Sequence, residues 1–264
     1  MSEATSTVGE AGRDVTGVQA TVEANVLRSA LEPVLALFDE CHLQIDEAGI
    51  RLTGIDPATV ACVEVDLGRA AFEAFDATEV HVGIDAARFG DVVGMADSGG
   101  TVRLALDSET RRLHIRIGGL AYDLALLDPD VLRSPPEGIG NFDGTARAVA
   151  EGADVARSIR AAGMVADHAE LAVEPDPAAF AVSAEGDTDD VSLELPDEDL
   201  LELDPGEARS LFSIDYLEPI ARAAPRDAAF ELRLGVEQPL SIRYDIVDGE
   251  GAVEFLVAPR IATN

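Results

Sequence analysis

Asp187, Asp189 and Asp190 form an acidic cluster of the kind that can hold a cation, and His42, His81, His114 and His168 are the imidazoles available for metal binding or proton transfer. None of these histidines has a second ligand at the spacing of a metal site, so each is expected as an ordinary strand or strand-edge residue. The three aspartates are expected in a hydrophilic turn between two strands, a position Asp favours because its carboxylate bonds the backbone ahead of it. Cys41 and Cys62 lie in apolar, strand-like contexts and read as buried thiols. All 19 basic residues are arginine, since the chain contains no lysine, and this excludes a Walker A lysine, a Schiff base and a lysine general base. Ser, His and Asp occur without a nucleophile elbow, and no paired acids suggest a pocket with perturbed carboxylates. The expectation is therefore no catalytic site, no metal and no cofactor.

The remaining chemistry is in the arginines, and helices must position them. Apolar residues recur at helical spacing at Leu27, Ala30, Leu31, Val34, Leu35 and Phe38, with Asn25 as the expected N-cap and Pro33 inside the pattern as a kink or restart. A second helix carries Phe89, Val92, Val93 and Ala96 behind Asp85 as cap, and two more are expected over residues 154–165 and 214–224. Their exposed faces carry Arg28, Arg88, Arg157, Arg160 and Arg222 against Glu32, Asp91 and Glu218. That balance inverts the acidic excess of the whole chain and points to a shared anionic partner. Nothing here is base-specific: there is no zinc-ligand spacing, stacking motif or recognition helix.

Alternating stretches surround these helices. Strands are expected over 18–23, 41–46, 50–55, 61–67, 79–84, 101–106, 111–117 and 121–126, then over 170–173, 179–184, 191–195, 229–234, 240–246 and 252–257. The class is α+β, with antiparallel sheets and four helices on one face. The chain also repeats itself. Val63–Leu67 matches Val191–Leu195, Ile84-Asp85 matches Ile214-Asp215, and Leu113-His-Ile-Arg-Ile matches Leu240-Ser-Ile-Arg-Tyr, each about 130 residues apart. Two similar domains, 18–127 and 145–264, are therefore expected, joined by a turn-rich connector over 128–144 and preceded by a disordered tail over 1–17.

With 264 residues, 47% of them hydrophobic, the chain can bury one or two cores. No apolar run approaches the roughly 18 residues that span a bilayer, and the start MSEATSTVGEAGRD lacks a signal peptide's basic and apolar regions, so a cytoplasmic protein without membrane partners is expected. The formal net charge is −32. Together with the missing lysine, it reads as adaptation to high salt, where about 1 M electrolyte shortens the Debye length to about 3 Å.

Four phrases in order carry a family resemblance: Asp46-Glu-Ala-Gly-Ile-Arg-Leu with Gly54-Ile-Asp-Pro, Ser183-Ala-Glu-Gly-Asp-Thr-Asp, Glu207-Ala-Arg-Ser-Leu-Phe-Ser-Ile-Asp-Tyr-Leu, and Leu256-Val-Ala-Pro-Arg-Ile. From Val18 to Ile261 the chain resembles the archaeal and eukaryotic sliding clamps of the PCNA type. The resemblance implies a homotrimeric ring around double-stranded DNA, sheets outside and helices inside, with the five arginines facing the duplex. It implies subunit contacts through Tyr122, Val191 and Leu193. It also implies a pocket for short hydrophobic peptides of a clamp loader, DNA polymerase, flap endonuclease and DNA ligase, formed by Ile55, Thr59, Val60, Leu132, Pro239, Leu256, Ala258 and Pro259. Leu256 stands where many relatives place Tyr, which implies a shallower pocket floor. Two other possibilities are a subunit of a heterotrimeric ring and a small-molecule enzyme on a duplicated α+β scaffold.

Overall fold

The computed structural model describes residues 17–134 and 142–260. Residues 1–16 of the expected tail, the middle of the connector and Ile261 lie outside them, while Gly17, expected in the tail, opens the first strand. The first half runs β1 (Gly17–Glu23), α1 (Ala24–Leu35), β2 (Glu40–Asp46), β3 (Gly49–Ile55), β4 (Ala61–Gly68), β5 (Ala74–Ala77), β6 (Val80–Asp85), α2 (Ala86–Gly94), β7 (Thr101–Asp107), β8 (Arg112–Ile117) and β9 (Leu120–Ala125). The second repeats that order: β10 (Ala146–Glu151), α3 (Gly152–Ala162), β11 (His168–Pro175), β12 (Ala178–Glu185), β13 (Asp190–Pro196), β14 (Glu202–Asp204), β15 (Ala208–Ser213), α4 (Ile214–Ala223), β16 (Ala229–Leu234), β17 (Leu240–Ile246) and β18 (Gly251–Val257).

Four of these strands were not expected. Ala-Phe-Asp-Ala at β5 and Ala-Arg-Ala-Val-Ala-Glu at β10 are poor in the β-branched and aromatic residues that mark strands. β14 has only three residues, and β15 buries Ser210 between Ala208 and Phe212, which blurs the apolar alternation. The matched dipeptides Ile84-Asp85 and Ile214-Asp215 are also out of phase, because the first ends β6 and the second opens α4. Asn25 is not the cap of α1. Glu23 holds that position, and the Asn25 carboxamide oxygen instead accepts from Arg28 Nη1 at 2.8 Å. Asp85 does cap α2, accepting from the Arg88 N–H at 2.8 Å. The first helix runs on through Pro33 to Leu35, and the Ala36 N–H still reaches the Glu32 carbonyl. Pro33 lacks the N–H that would bond the Ser29 carbonyl, so the helix continues with that one bond missing.

All pairings between named strands are antiparallel, and the duplication governs the sheets. Each half supplies a five-stranded unit, β5-β1-β7-β8-β9 or β14-β10-β16-β17-β18, and a four-stranded unit, β6-β2-β3-β4 or β15-β11-β12-β13. The five-stranded unit of the second half joins the four-stranded unit of the first through β18 and β4, in the register Phe255↔Val63 and Val253↔Val65. This gives one continuous nine-stranded sheet across the two halves. The corresponding strands of the other two units, β9 and β13, remain free edges.

The helices pack in pairs, α1 with α2 and α3 with α4, and α1 also meets α4. Each turns a buried stripe toward the sheets: Leu27, Ala30, Leu31 and Val34 on α1, Phe89, Val92 and Val93 on α2, Val155, Ile159 and Ala162 on α3, Leu217 and Ile220 on α4. These stripes and the inner faces of the sheets form one continuous buried cluster. No helix among the described residues is long and apolar enough to cross a membrane.

Candidate nucleic-acid interface and partner groove

The exposed side of the α3–α4 pair holds the densest group of cations on the helix layer. Arg157, Arg160 and Arg222 line an open groove of about 390 Å³ with Glu218, the alanines Ala153 and Ala156, and Phe230. Arg226, just past α4, joins them. A search by helical periodicity misses it because the helix has ended at Ala223 and Pro225 intervenes. Arg157 pairs with Asp154 at 2.9 Å and Arg222 with Glu218 at 2.6 Å, both exposed i,i+3 or i,i+4 pairs of the weak kind. Among the described residues, no carboxylate comes within ion-pair distance of Arg160 or Arg226.

The α1–α2 pair is different. Arg28 is half-buried, and its Nη2 donates to the carbonyls of Val93 (3.2 Å) and Ala96 (2.5 Å) at the C-terminal end of α2. The Val93 carbonyl, which also accepts from the Ala96 N–H at 3.1 Å, belongs to the last turn of α2, the negative pole of the helix, so this guanidinium closes the helix end. Arg88 is exposed and lies 3.7 Å from Asp85. The free cationic character of the helix layer is therefore concentrated on the second half.

On the opposite, sheet side, six of the eight expected pocket residues come together. Ile55, Thr59, Val60, Pro239, Leu256 and Ala258 line one open groove of about 440 Å³, along with Ala61, Cys62 and Ser134. Its wall is the β3–β4 turn, which Asp56 organises: its buried carboxylate accepts from the N–H groups of Ala58 (2.9 Å), Val60 (2.7 Å) and Ala61 (2.8 Å) and from the Tyr216 hydroxyl (3.1 Å). Burial, with Asp56 alongside, raises the Tyr216 phenol above its ordinary range. Thr59 sits at φ +59°, a left-handed conformation fixed by this turn. The Ala258 N–H bonds the Val60 carbonyl at 2.7 Å, which ties the end of β18 to the same wall. Leu132 and Pro259 are not part of the lining. Leu132 lies over Gly83, where a Cβ would come within 2.7 Å of its side chain, so the glycine makes the seat for the connector. Pro259 is half-buried just beyond Ala258, and the next residue, Arg260, bonds the Leu211 carbonyl at 2.7 Å.

At the free edges, Tyr122 on β9 and Val191 and Leu193 on β13 are half-buried side chains on the helix-facing side of their strands, with Leu120 beside Tyr122 more exposed.

The family model of the proliferating cell nuclear antigen N-terminal domain matches residues 19–118. A DNA polymerase sliding clamp of Natronomonas pharaonis is 47% identical over 93% of this chain and 99% of its own length. The chain belongs to the sliding-clamp family. A sliding clamp of Halobacterium salinarum is 45% identical over the same shares. Among solved structures, A. fulgidus PCNA with the C-terminal region of FEN-1 bound superposes with a TM-score of 0.86 at 28% identity, covering 94% of this chain and all of that one. PCNA of Thermococcus kodakaraensis gives 0.82, also at 28% identity, over 92% and 100%.

The rest of this clamp's reactive inventory has structural employment. Burial pushes the Cys41 thiol up to about 12 and the Cys62 thiol up to about 11, so neither is a thiolate near neutral pH. Cys62 nonetheless lines the groove, a role that its strand context did not reveal. Two of the four histidines meet. His42 Nδ1 and His81 Nε2 are 3.0 Å apart across β2 and β6, and His42 Nε2 is 3.1 Å from the Arg133 carbonyl of the connector. His42 therefore donates from Nε2 to the connector and accepts at Nδ1 from His81. Burial, then the neighbouring His42, lowers the His81 pKa, with Asp130 opposing. The sequence hid this pair because its members are 39 residues apart and meet only through strand pairing. His114 bonds Asp123 at 2.6 Å, and His168 contacts Arg260. Among the described residues no three of His, Cys, Asp and Glu group to hold a metal. Asp187 and Asp189 lie in the exposed β12–β13 turn, closed by the Gly186 N–H on the Asp189 carbonyl at 3.0 Å, and Asp190 begins β13.

Proposed function

We propose that the clamp closes into a homotrimeric ring around duplex DNA, without a catalytic site of its own, and presents the groove between β18 and the β3–β4 turn to replication and repair proteins. One observation carries the ring. The register of β8 with β9 and of β17 with β18 sets Leu113 on Leu240 and hence Tyr122 on Phe255, while Val191 falls on Val63. Phe255 and Val63 are directly paired in the nine-stranded sheet. Pairing β9 of one subunit with β13 of the next therefore repeats, between chains, a junction that already exists within one chain. Tyr122 then faces Val191 and Leu120 faces Leu193. Free β-edges are liabilities that proteins cover, and ring closure covers both.

In such a ring, the helix layer faces the hole. Arg157, Arg160, Arg222 and Arg226 centre the duplex through its phosphates, with Arg88 a weaker contributor and Arg28 committed to α2. The partners are a clamp loader, DNA polymerase, flap endonuclease and DNA ligase, each carrying a short peptide whose apolar side chains fill the groove. The FEN-1 peptide held by the A. fulgidus relative supports this assignment. The solution mass should be three times that of the 27.7 kDa chain at micromolar concentration in molar KCl; a mass of one chain under those conditions would exclude the ring. For the groove, a peptide with glutamine, an aliphatic residue and two aromatics at the family's spacing should bind, and Leu256→Asp should weaken it at least about tenfold by placing a charge on an apolar floor. Unchanged affinity would move the site elsewhere.

A further inference from the structure

The outward face of the same edges carries a pattern that the apolar pairing does not use. On β8 the outward residues are Arg112, His114 and Arg116, and on β9 they are Ala125, Asp123 and Ala121, in that register. On β13 they are Asp190, Ser192 and Glu194, all exposed. Carrying the intrachain register over to the subunit junction, an extension of the ring reading above, sets Asp123 opposite Asp190 of the partner subunit and Ala121 opposite Ser192 of the partner subunit.

Two carboxylates directly opposed on neighbouring strands repel. The two arginines on β8, with His114 between them, supply the compensation. His114 already bonds Asp123, whose carboxyl is held below its usual range chiefly by that bond, with Arg112 and Arg116 adding to it. Neither Arg112 nor Arg116 has a carboxylate within ion-pair distance among the described residues of its own chain, and the same holds for Asp190 and Glu194. Between Arg116 and the junction stands only Ala121, a side chain too short to intervene. Strand spacing puts the Arg116 Cα about 10 Å from the Cα opposite on β13 and about 12 Å from that of Glu194 of the partner subunit, a gap that an extended arginine and a glutamate close together.

We propose that the outer face of the subunit junction is an ion-pair strip, in which Arg116 crosses the alanine of its own edge strand to bond Glu194 of the partner subunit, while Arg112 offsets the opposed Asp123 and Asp190 and His114 holds Asp123 by its hydrogen bond. The occupant of this cationic face is a second copy of the chain. Charge complementarity selects it: in a chain of net charge −32, unpaired arginines one strand in from one free edge face unpaired acids on the other edge.

The test is the trimer dissociation constant, by sedimentation equilibrium in 1 M KCl, for wild type, Arg116→Glu, Glu194→Arg and the double variant. Each reversal should raise it about tenfold or more, and the double variant should return to within about threefold of wild type, because like charges are repelled and the swapped pair restores attraction. Arg116→Ala, a milder change at an exposed site, should move it in the same direction by a smaller factor. Single variants that leave assembly unchanged while Tyr122→Ala dissociates the ring would overturn the strip and leave the ring standing. Weakened single variants without recovery in the double would also overturn it. A wild type that never exceeds the mass of one chain would remove the ring and the strip together.

Discussion

Tyr122→Ala is expected to leave the clamp monomeric at low micromolar concentration, with the fold of each chain intact. In the isolated chain Tyr122 is half-buried at a free edge, whereas its counterpart Phe255, at the junction already formed, is fully buried against a fully buried Val63. Assembly therefore takes the Tyr122 ring out of water onto Val191 of the partner subunit. Central aromatic residues of small interfaces are hot spots whose truncation costs about 2 kcal/mol or more, roughly thirtyfold in affinity at each contact. A closed trimer has three such contacts, so the penalty is applied three times in going from ring to monomers. The chain's own core does not depend on Tyr122, because Leu113, Ile115 and Leu124 around it are already buried without a partner. A trimer that survives the substitution at low micromolar concentration would mean that the edges do not meet in the proposed register.

Much of the fold was legible because it is written twice. The long alternating stretches and the four amphipathic helices come out within a few residues, and the match of Val63–Leu67 with Val191–Leu195 holds in the register of the sheets. What escaped was whatever depends on tertiary context. β10 is alanine-rich and becomes a strand because β14 and β16 flank it. Arg28 reads as an exposed helix cation, yet the neighbouring helix ends within its reach, and carbonyls at that end bind it. Likewise, Leu132 reads as a groove residue, but Gly83 offers it a closer seat. The His42–His81 contact and the groove role of Cys62 depend on which strands are neighbours, and no local spacing encodes that. Arg226 lay beyond the last helical turn and so outside any periodic pattern.

Retention on DNA is the second large effect, and it separates topology from affinity. Proteins held by phosphate contacts lose roughly 10³ to 10⁵ in affinity between 50 and 200 mM salt when six to ten contacts are involved. The exposed arginines of the helix layer are few, three of them are already paired to acids on or capping their own helices, and the chain as a whole carries −32 charges. At molar salt, charge alone cannot keep this protein on a duplex. A closed ring needs no such affinity, since it can leave only over a DNA end, and weak contacts then permit sliding. The decisive measurement loads the clamp with its loader onto nicked circular DNA, raises KCl to about 1 M, a concentration at which the Debye length is only about 3 Å, and compares the bound fraction before and after a single cut. The ring predicts retention on the circle and rapid loss once it is linear; equal loss from both forms would contradict encirclement.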